Sequence, residues 1–407
     1  MQHEQLDVTG GVDTNADQHV AAVIDAVGRI LATAAFPADS AGYGRLVTWM
    51  GSFGVVTAVG VEGTGAYGAG LARHLAGEGI AVVEVNRPNR QTRRRRGKSD
   101  TTDAEAAARA ALNGEATAAP KAGDGPVEGL RALRVARRSA LKARTQAANQ
   151  IRDLVVTAPD ELRSRLRDLD TDARVDTCAR LRPGPLADPA EATKTALRSL
   201  ARRHQALSVE LAELGQAIGA LVAAANPALL GAHGVGVEVA SALLVAAGDN
   251  PERMRSEASF AALCGASPVE ASTGKTVRHR LNRGGNRQAN HALWRIAMVR
   301  LSCHRPTQDY AARRRGAGKT DREILRCLKR YVAREIYQLL THPPAIANGA
   351  QLRTARTTAH ITLSTVAEAL GTWPTRISEL ERGLKHNAAL ATRYQLWLNT
   401  RSHPQAA

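Results

Sequence analysis

Residues 55–68 read VVTAVGVEGTGAYG, an apolar run that ends on a carboxylate, Glu62, and breaks at once into a glycine-rich turn. A run of this length bounded by turn residues reads as a buried strand, Val55–Glu62. Upstream of it, Leu6–Asp13, Val20–Ile24 and Ile30–Phe36 are short apolar or alternating runs separated by turn residues, the pattern of an antiparallel meander. Ser40–Ser52 suits a helix. Downstream, Tyr67–Gly77 suits a second helix and Ile80–Val85 another strand, followed by a basic loop, 87–98, and a helix from about Asp100 to Leu112.

Three strands, helix, strand, helix, strand is the order expected of an α/β RNase H-like domain, assigned to residues 1–114. The remainder reads as mainly α. Ala116–Gly125 is an Ala/Gly/Pro/Lys linker. Residues 126–225 hold two long amphipathic stretches, Val127–Val156 and Glu191–Ala225, around a broken middle; this is either a helical, coiled-coil arm that dimerises or a helix pair within one chain. Residues 226–342 form a largely helical unit with a polar central loop, and 360–400 a small separate tail.

Bulk properties narrow the function classes. With Lys and Arg 55 against Asp and Glu 38, the 407-residue chain carries a formal net charge of +17. A soluble chain this basic points to a polyanionic partner, since each neutralised phosphate releases counterions. Aromatic residues are only 3%, so base stacking is not the main mode of contact. Cys178, Cys264, Cys303 and Cys327 show no CxxC spacing, which argues against a zinc site or disulfide framework. The N-terminus lacks an apolar signal core and no apolar run looks long enough to span a bilayer, so the expectation is a cytoplasmic, nucleoid-associated protein without a membrane partner.

Four carboxylates stand where this topology would gather them. Asp13 ends the first strand, Glu62 ends the central strand, and Asp100 and Asp103 share a helix face. Singly, Asp13 reads equally as a strand-end turn residue, and Asp100 and Asp103 as capping and first-turn acids. Jointly they repel one another and ionise together only with cations between them. Two Mg²⁺ ions held by such a set would serve phosphoryl transfer, with Arg93, Arg94, Arg95, Arg96 and Lys98 holding the substrate backbone. The glycines of 62–68 lack both the GxGxxG spacing and a P-loop Lys-Ser/Thr, which excludes a dinucleotide or ATP site.

The segments GVDTNADQHVAAVID, VGVEGTGAYG and GKSDTTDAEAAARAAL resemble the DEDD motif of the insertion-sequence-110 family of transposases, whose N-terminal domain resembles the RuvC Holliday-junction nuclease. The resemblance assigns that family's metal-binding acids to Asp13, Glu62, Asp100 and Asp103.

A second candidate lies in FAALCGASPVEASTGKTVRHRLNRGGNRQANHAL, after a Gly234-Val235-Gly236 turn that reads as a phosphate-facing helix start or an ordinary one. Ser272 and Thr273 stand on a small-residue turn among Lys275, Arg278, His279, Arg280, Asn282, Arg283, Asn286 and Arg287. A hydroxyl so placed suits attack on phosphate, the cations stabilising the developing charge; a polar surface turn is the other reading. ASTGKTVRHRLNRGGNRQAN is similar to the C-terminal domain of the same transposase family, and the resemblance makes Ser272 the catalytic serine. It further implies a phosphoserine–DNA intermediate, an acidic site completed by a serine from another subunit, a homo-oligomer and a structured non-coding bridge RNA that pairs with target and donor DNA.

The tail segment LSTVAEALGTWPTRISELERGLK resembles a repressor-type helix-turn-helix, with Val366, Ala367, Leu370, Ile377 and Leu380 inward and Thr372, Trp373, Thr375, Arg376 and Ser378 toward DNA. A packing role for the tail is the alternative. The leading expectation is thus a transposase-recombinase with two centres; a RuvC-like metal-dependent endonuclease and a non-catalytic DNA-binding regulator are the other readings.

Overall fold

The computed structural model describes residues 6–85, 99–275, 279, 280, 282, 284–344, 349–384 and 387–402. The chain divides into two units, Met1–Gly125 with Ala247–Phe260, and Pro126–Ala246 with Ala261–Ala407.

The first unit is built on a five-stranded sheet of order β3-β2-β1-β4-β5, from β1 (Asp7–Thr14), β2 (Gln18–Asp25), β3 (Ile30–Pro37), β4 (Val55–Glu62) and β5 (Val82–Val85). β1, β2 and β3 are antiparallel neighbours, whereas β4 lies parallel to both β1 and β5. With α1 (Ser40–Gly51), α2 (Ala69–Gly77) and α3 (Asp100–Leu112), this is the RNase H-like arrangement that the element order anticipated. Side chains alternate between the two faces of a strand. Val8, Val12, Val59 and Val61 pack with Leu46 and Met50 of α1 and Leu71 and Leu75 of α2. Full burial of such aliphatic side chains stabilises by about 1.5–3 kcal/mol each. α1 starts where Asp39 accepts a hydrogen bond from the Gly42 N–H at 2.7 Å.

The opposite face belongs to α3. Gly11 and Gly60 are register partners across β1 and β4, and a Cβ on Gly11 would lie 2.2 Å from the Ala104 carbonyl oxygen, one on Gly60 2.3 Å from that of Ala107. The helix backbone therefore rests directly on the sheet, with Ala104, Ala107 and Ala108 fully buried beneath it. Residues 247–260 complete this unit: Asn250 donates to the Pro120 carbonyl at 3.0 Å and accepts from the Ala122 N–H at 3.0 Å, and Arg255 donates to the Thr117 carbonyl at 2.8 Å.

The second unit is helical. α4 (Pro126–Val156) and α7 (Pro189–Ala225) pack along each other, with α5 (Asp160–Leu166) and α6 (Thr171–Ala179) capping one end through Leu162, Leu166, Val175 and Cys178. By length and composition α7 is apolar enough to cross a membrane, which corrects the expectation that no run would be; Leu197, Ala201, Leu211, Ile218 and Val222 along it are buried in the protein. After α8 (Ala228–Gly231), α9 (Val237–Ala247) and α10 (Glu257–Leu263), a hairpin of two-residue strands pairs β6 (Val269–Glu270) with β7 (His279–Arg280). Then follow α11 (Arg287–Cys303), α12 (Arg305–Gly316) and α13 (Asp321–Thr341), and a tail of α14 (Gly349–Thr358), α15 (Leu363–Ala369), α16 (Pro374–Glu381) and α17 (Ala388–Ser402). In the tail, Val366, Ala367, Leu370, Ile377 and Leu380 are buried around Tyr394. Glu381, inside the same core, pairs with Arg356 at 2.7 Å and accepts from the Tyr394 hydroxyl at 2.7 Å.

Gly11→Ala should destabilise the first unit by about 1–3 kcal/mol or more, because the helix backbone has to move. Gly65→Ala, where nothing lies within 4 Å of the added Cβ, should stay within about 0.5 kcal/mol. Hydrogen exchange across residues 100–112 checks both; equal protection in the two variants would refute the close-packing account.

Candidate active site

Strand register sets the first pair of acids. Val12 is level with Val61 on the parallel strands β1 and β4, so the next residues, Asp13, one short of the end of β1, and Glu62, the last of β4, lie side by side. Asp13 shares the strand face of Gly11, and Glu62 that of Gly60, which is the face covered by α3. Both carboxylates are half-buried. The Thr14 hydroxyl donates to the Glu62 carbonyl at 2.8 Å and ties the two strand ends together.

The first turn of α3 supplies the other pair. Ser99 caps the helix by accepting from the Thr102 N–H at 3.2 Å. Asp103 is buried, only 4% exposed, next to Ala104 at the sheet contact, and Asp100 is exposed and accepts from the Asn15 amide at 3.2 Å. A helix N-terminus favours both negative charges. Asn15, just beyond β1, links the two halves of the constellation and was not singled out from sequence; its place in GVDTNADQ, two residues after Asp13, was the available signal.

Among the described residues, no group of three or more His, Cys, Asp and Glu side chains is drawn together closely enough to grip an ion. The donor set nonetheless fits a hard divalent cation: oxygen ligands only, two strand-end carboxylates and a buried first-turn carboxylate on one face of the sheet. Arg93, Arg94, Arg95, Arg96 and Lys98 lie outside the described residues.

Ser272, half-buried, stands in the connection between β6 and β7 in the second unit, followed by exposed Thr273, Gly274 and Lys275. The base of this hairpin is clasped. Gly285 has φ +85°, and its missing Cβ makes room for the Leu263 carbonyl. The Asn286 N–H donates to that carbonyl at 2.6 Å, while its side chain caps α11 by accepting from Gln288 and Ala289 N–H at 3.0 Å. Asn290, one turn on, donates to the carbonyls of Cys264 at 2.7 Å and Gly265 at 3.2 Å and accepts from the Lys329 ammonium at 2.8 Å. Burial holds the Lys329 ammonium below its ordinary range and pushes the Cys264 thiol up to about 12, so that thiol is neutral and unreactive. Of the cations expected around the serine, Arg280 and Arg287 are exposed; Arg278 and Arg283 lie outside the described residues, as does the side chain of His279. In the tail, Arg376 on α16 is exposed, and so is Trp373, which is 75% exposed.

Two family models match this chain in succession. Residues 10–158 match a model of DEDD-type IS110 proteins described as "Transposase", and residues 226–312 match "Transposase IS116/IS110/IS902 family". Together they span more than half of the sequence, the first containing Asp13, Glu62, Asp100 and Asp103 and the second Ser272. The chain belongs to the IS110 family of transposases. A similar curated protein is the "Insertion element IS110 uncharacterized 43.6 kDa protein" of Streptomyces coelicolor, 31% identical over 145 residues. That similarity covers 35% of this chain and 36% of the relative, so the match spans about a third of the relative's length. A DEDD-type transposase domain points to the use of a divalent metal ion in general.

Asn290→Ala leaves two carbonyls and a half-buried ammonium without their partner, and should cost about 1–3 kcal/mol. Limited proteolysis should then cut faster at residues 271–275; an unchanged cleavage rate and unfolding midpoint would mean that the clasp does not hold the Ser272 hairpin.

Proposed function

We propose that the chain cuts and rejoins DNA, with Asp13, Glu62, Asp100 and Asp103 holding divalent metal, as two Mg²⁺ ions, and Ser272 acting as nucleophile. The observation that carries this reading is the seating of α3 on Gly11 and Gly60, with carboxylates from two neighbouring strand ends and a helix first turn on one sheet face. A passive DNA binder gains nothing from such acids beside phosphate, because they repel it. When bound, divalent ions supply charge stabilisation at the attacked phosphate and at the leaving oxygen.

The chain's own groups do the rest. Thr14 ties the ends of β1 and β4 and Asn15 reaches Asp100, which limits how far the ligands would have to move to close on an ion. In the serine step, the Oγ–H bond of Ser272 breaks as the Oγ–P bond forms. One bridging ester oxygen leaves the phosphate and takes a proton, and a phosphoserine diester remains. Attack by a strand-end hydroxyl on that diester reverses the exchange and returns a proton to Ser272, so no external energy source is needed. Lys275, Arg280 and Arg287 on the same segment would neutralise the strand being exchanged. The resemblance to the family further supports a homo-oligomer guided by a non-coding bridge RNA and working at the nucleoid. The exposed Arg376 and Trp373 support an accessory DNA contact by the tail.

Incubating the protein with Mg²⁺ and DNA carrying the element's ends should yield a denaturation-resistant protein–DNA adduct. Ser272→Ala and Asp13→Asn should each reduce it by at least about 100-fold. Persistence of the adduct in Ser272→Ala removes the serine assignment, and cleavage without any adduct replaces this reading with a RuvC-like endonuclease.

A further inference from the structure

The second unit contains a cleft of about 310 Å³ between α4, the start of α9 and the first half of α11. Five guanidinium groups line it, from Arg134, Arg137, Arg138, Arg287 and Arg295, and the carboxylate among its lining residues is that of Glu238. Glu238 is already engaged: it pairs with Arg137 at 2.6 Å and with Arg134 at 3.7 Å. Arg134 is held further by the Glu238 carbonyl at 3.0 Å and by the Gln288 amide oxygen at 3.3 Å. Burial, with the neighbouring charges of Arg137 and Arg138, pushes the Arg134 guanidinium below its ordinary range. The Nε–H groups of Arg134 and Arg137 are buried and find no acceptor among the described residues. A cleft whose cations outnumber its one carboxylate and crowd one another is built to receive an anion. Arginine rather than lysine suits phosphate, because the planar fork donates two parallel hydrogen bonds.

The cleft continues along α11 in a way that a simple anion would not require. Arg287, His291, Trp294, Arg295 and Met298 are all exposed, and their spacing puts them on one face of the helix over about 16 Å. His291 lines the cleft and stacks on Trp294 with ring centroids 5.4 Å apart and an interplanar angle of 28°. Trp294 is 39% exposed, an indole presented at the cleft's edge in a chain where aromatics are only 3%. An indole face beside a phosphate cleft can stack on a base only where that base is unpaired.

We infer that this face binds an unpaired stretch of nucleic acid, with backbone phosphates in the arginine cleft and a base against Trp294. The assignment rests on the nucleic-acid reading above but not on Ser272 chemistry, so the adduct assay and the binding assay can fail independently. The ligand chemistry is a phosphodiester strand with an accessible base, available from displaced DNA or from RNA.

Binding of the full chain to fluorescent single strands of mixed sequence, as DNA and as RNA, and to the corresponding duplex separates these cases. In the double variant Arg138→Gln, Arg295→Gln, the slope of log affinity against log salt for a single strand should fall by about 1.4, from the loss of two phosphate contacts. Trp294→Ala should weaken single-strand binding about 5- to 150-fold with the slope unchanged, while Trp294→Phe restores most of it. Loss confined to RNA, or to DNA, supports the site and names its source. Weakened duplex binding with single strands unaffected overturns it, as do unchanged affinity and slope in variants that retain native helicity.

Discussion

Everything at the acidic centre depends on how near a helix backbone can come to a sheet. Two glycines at one register level, Gly11 and Gly60, remove the side chains that would hold α3 away. Helix and sheet then touch through alanines and main chain. Were α3 held off by even one methyl layer, Asp103 would leave the burial that makes its charge demanding, and the Asn15–Asp100 hydrogen bond would be out of reach. The centre is thus made by what is missing from the strands as much as by the acids.

The acids and the proposed serine are supported in different ways. The acids sit on rigid strands and a capped helix, which suits groups that must hold position against mutual repulsion. Ser272 sits on a short hairpin connection whose feet, not whose tip, are tied down by Asn286 and Asn290.

Much of the first unit was legible in the sequence. The placement of Asp13 and Glu62 at or next to strand ends followed from short apolar runs closed by turn residues, and a helix from about Asp100 to Leu112 is found over those residues. The glycine seat was not legible, since a glycine inside a strand says only that something approaches, not what. The return of residues 247–260 to the first unit escaped because its polar contacts, from Asn250 and Arg255, reach about 130 residues back along the chain. The arginine cleft escaped for the same reason: α4 and α11 each look like ordinary basic helices until they are side by side. Arg287 alone had been marked, and for its neighbourhood to Ser272. The length of α7 was visible, but its apolar stretch was underestimated because charges interrupt its first half.

The discontinuity of the first unit bears on its birth. When residue 125 leaves the ribosome, the sheet and α3 are in hand, yet the strap that fastens residues 117–122 is still unsynthesised. The helices of the arm must emerge before Asn250 and Arg255 can reach it. The strap over residues 117–122 is therefore the last part of the first unit to be fastened, although the sheet, α3 and the acids they carry are all made before the helices that intervene.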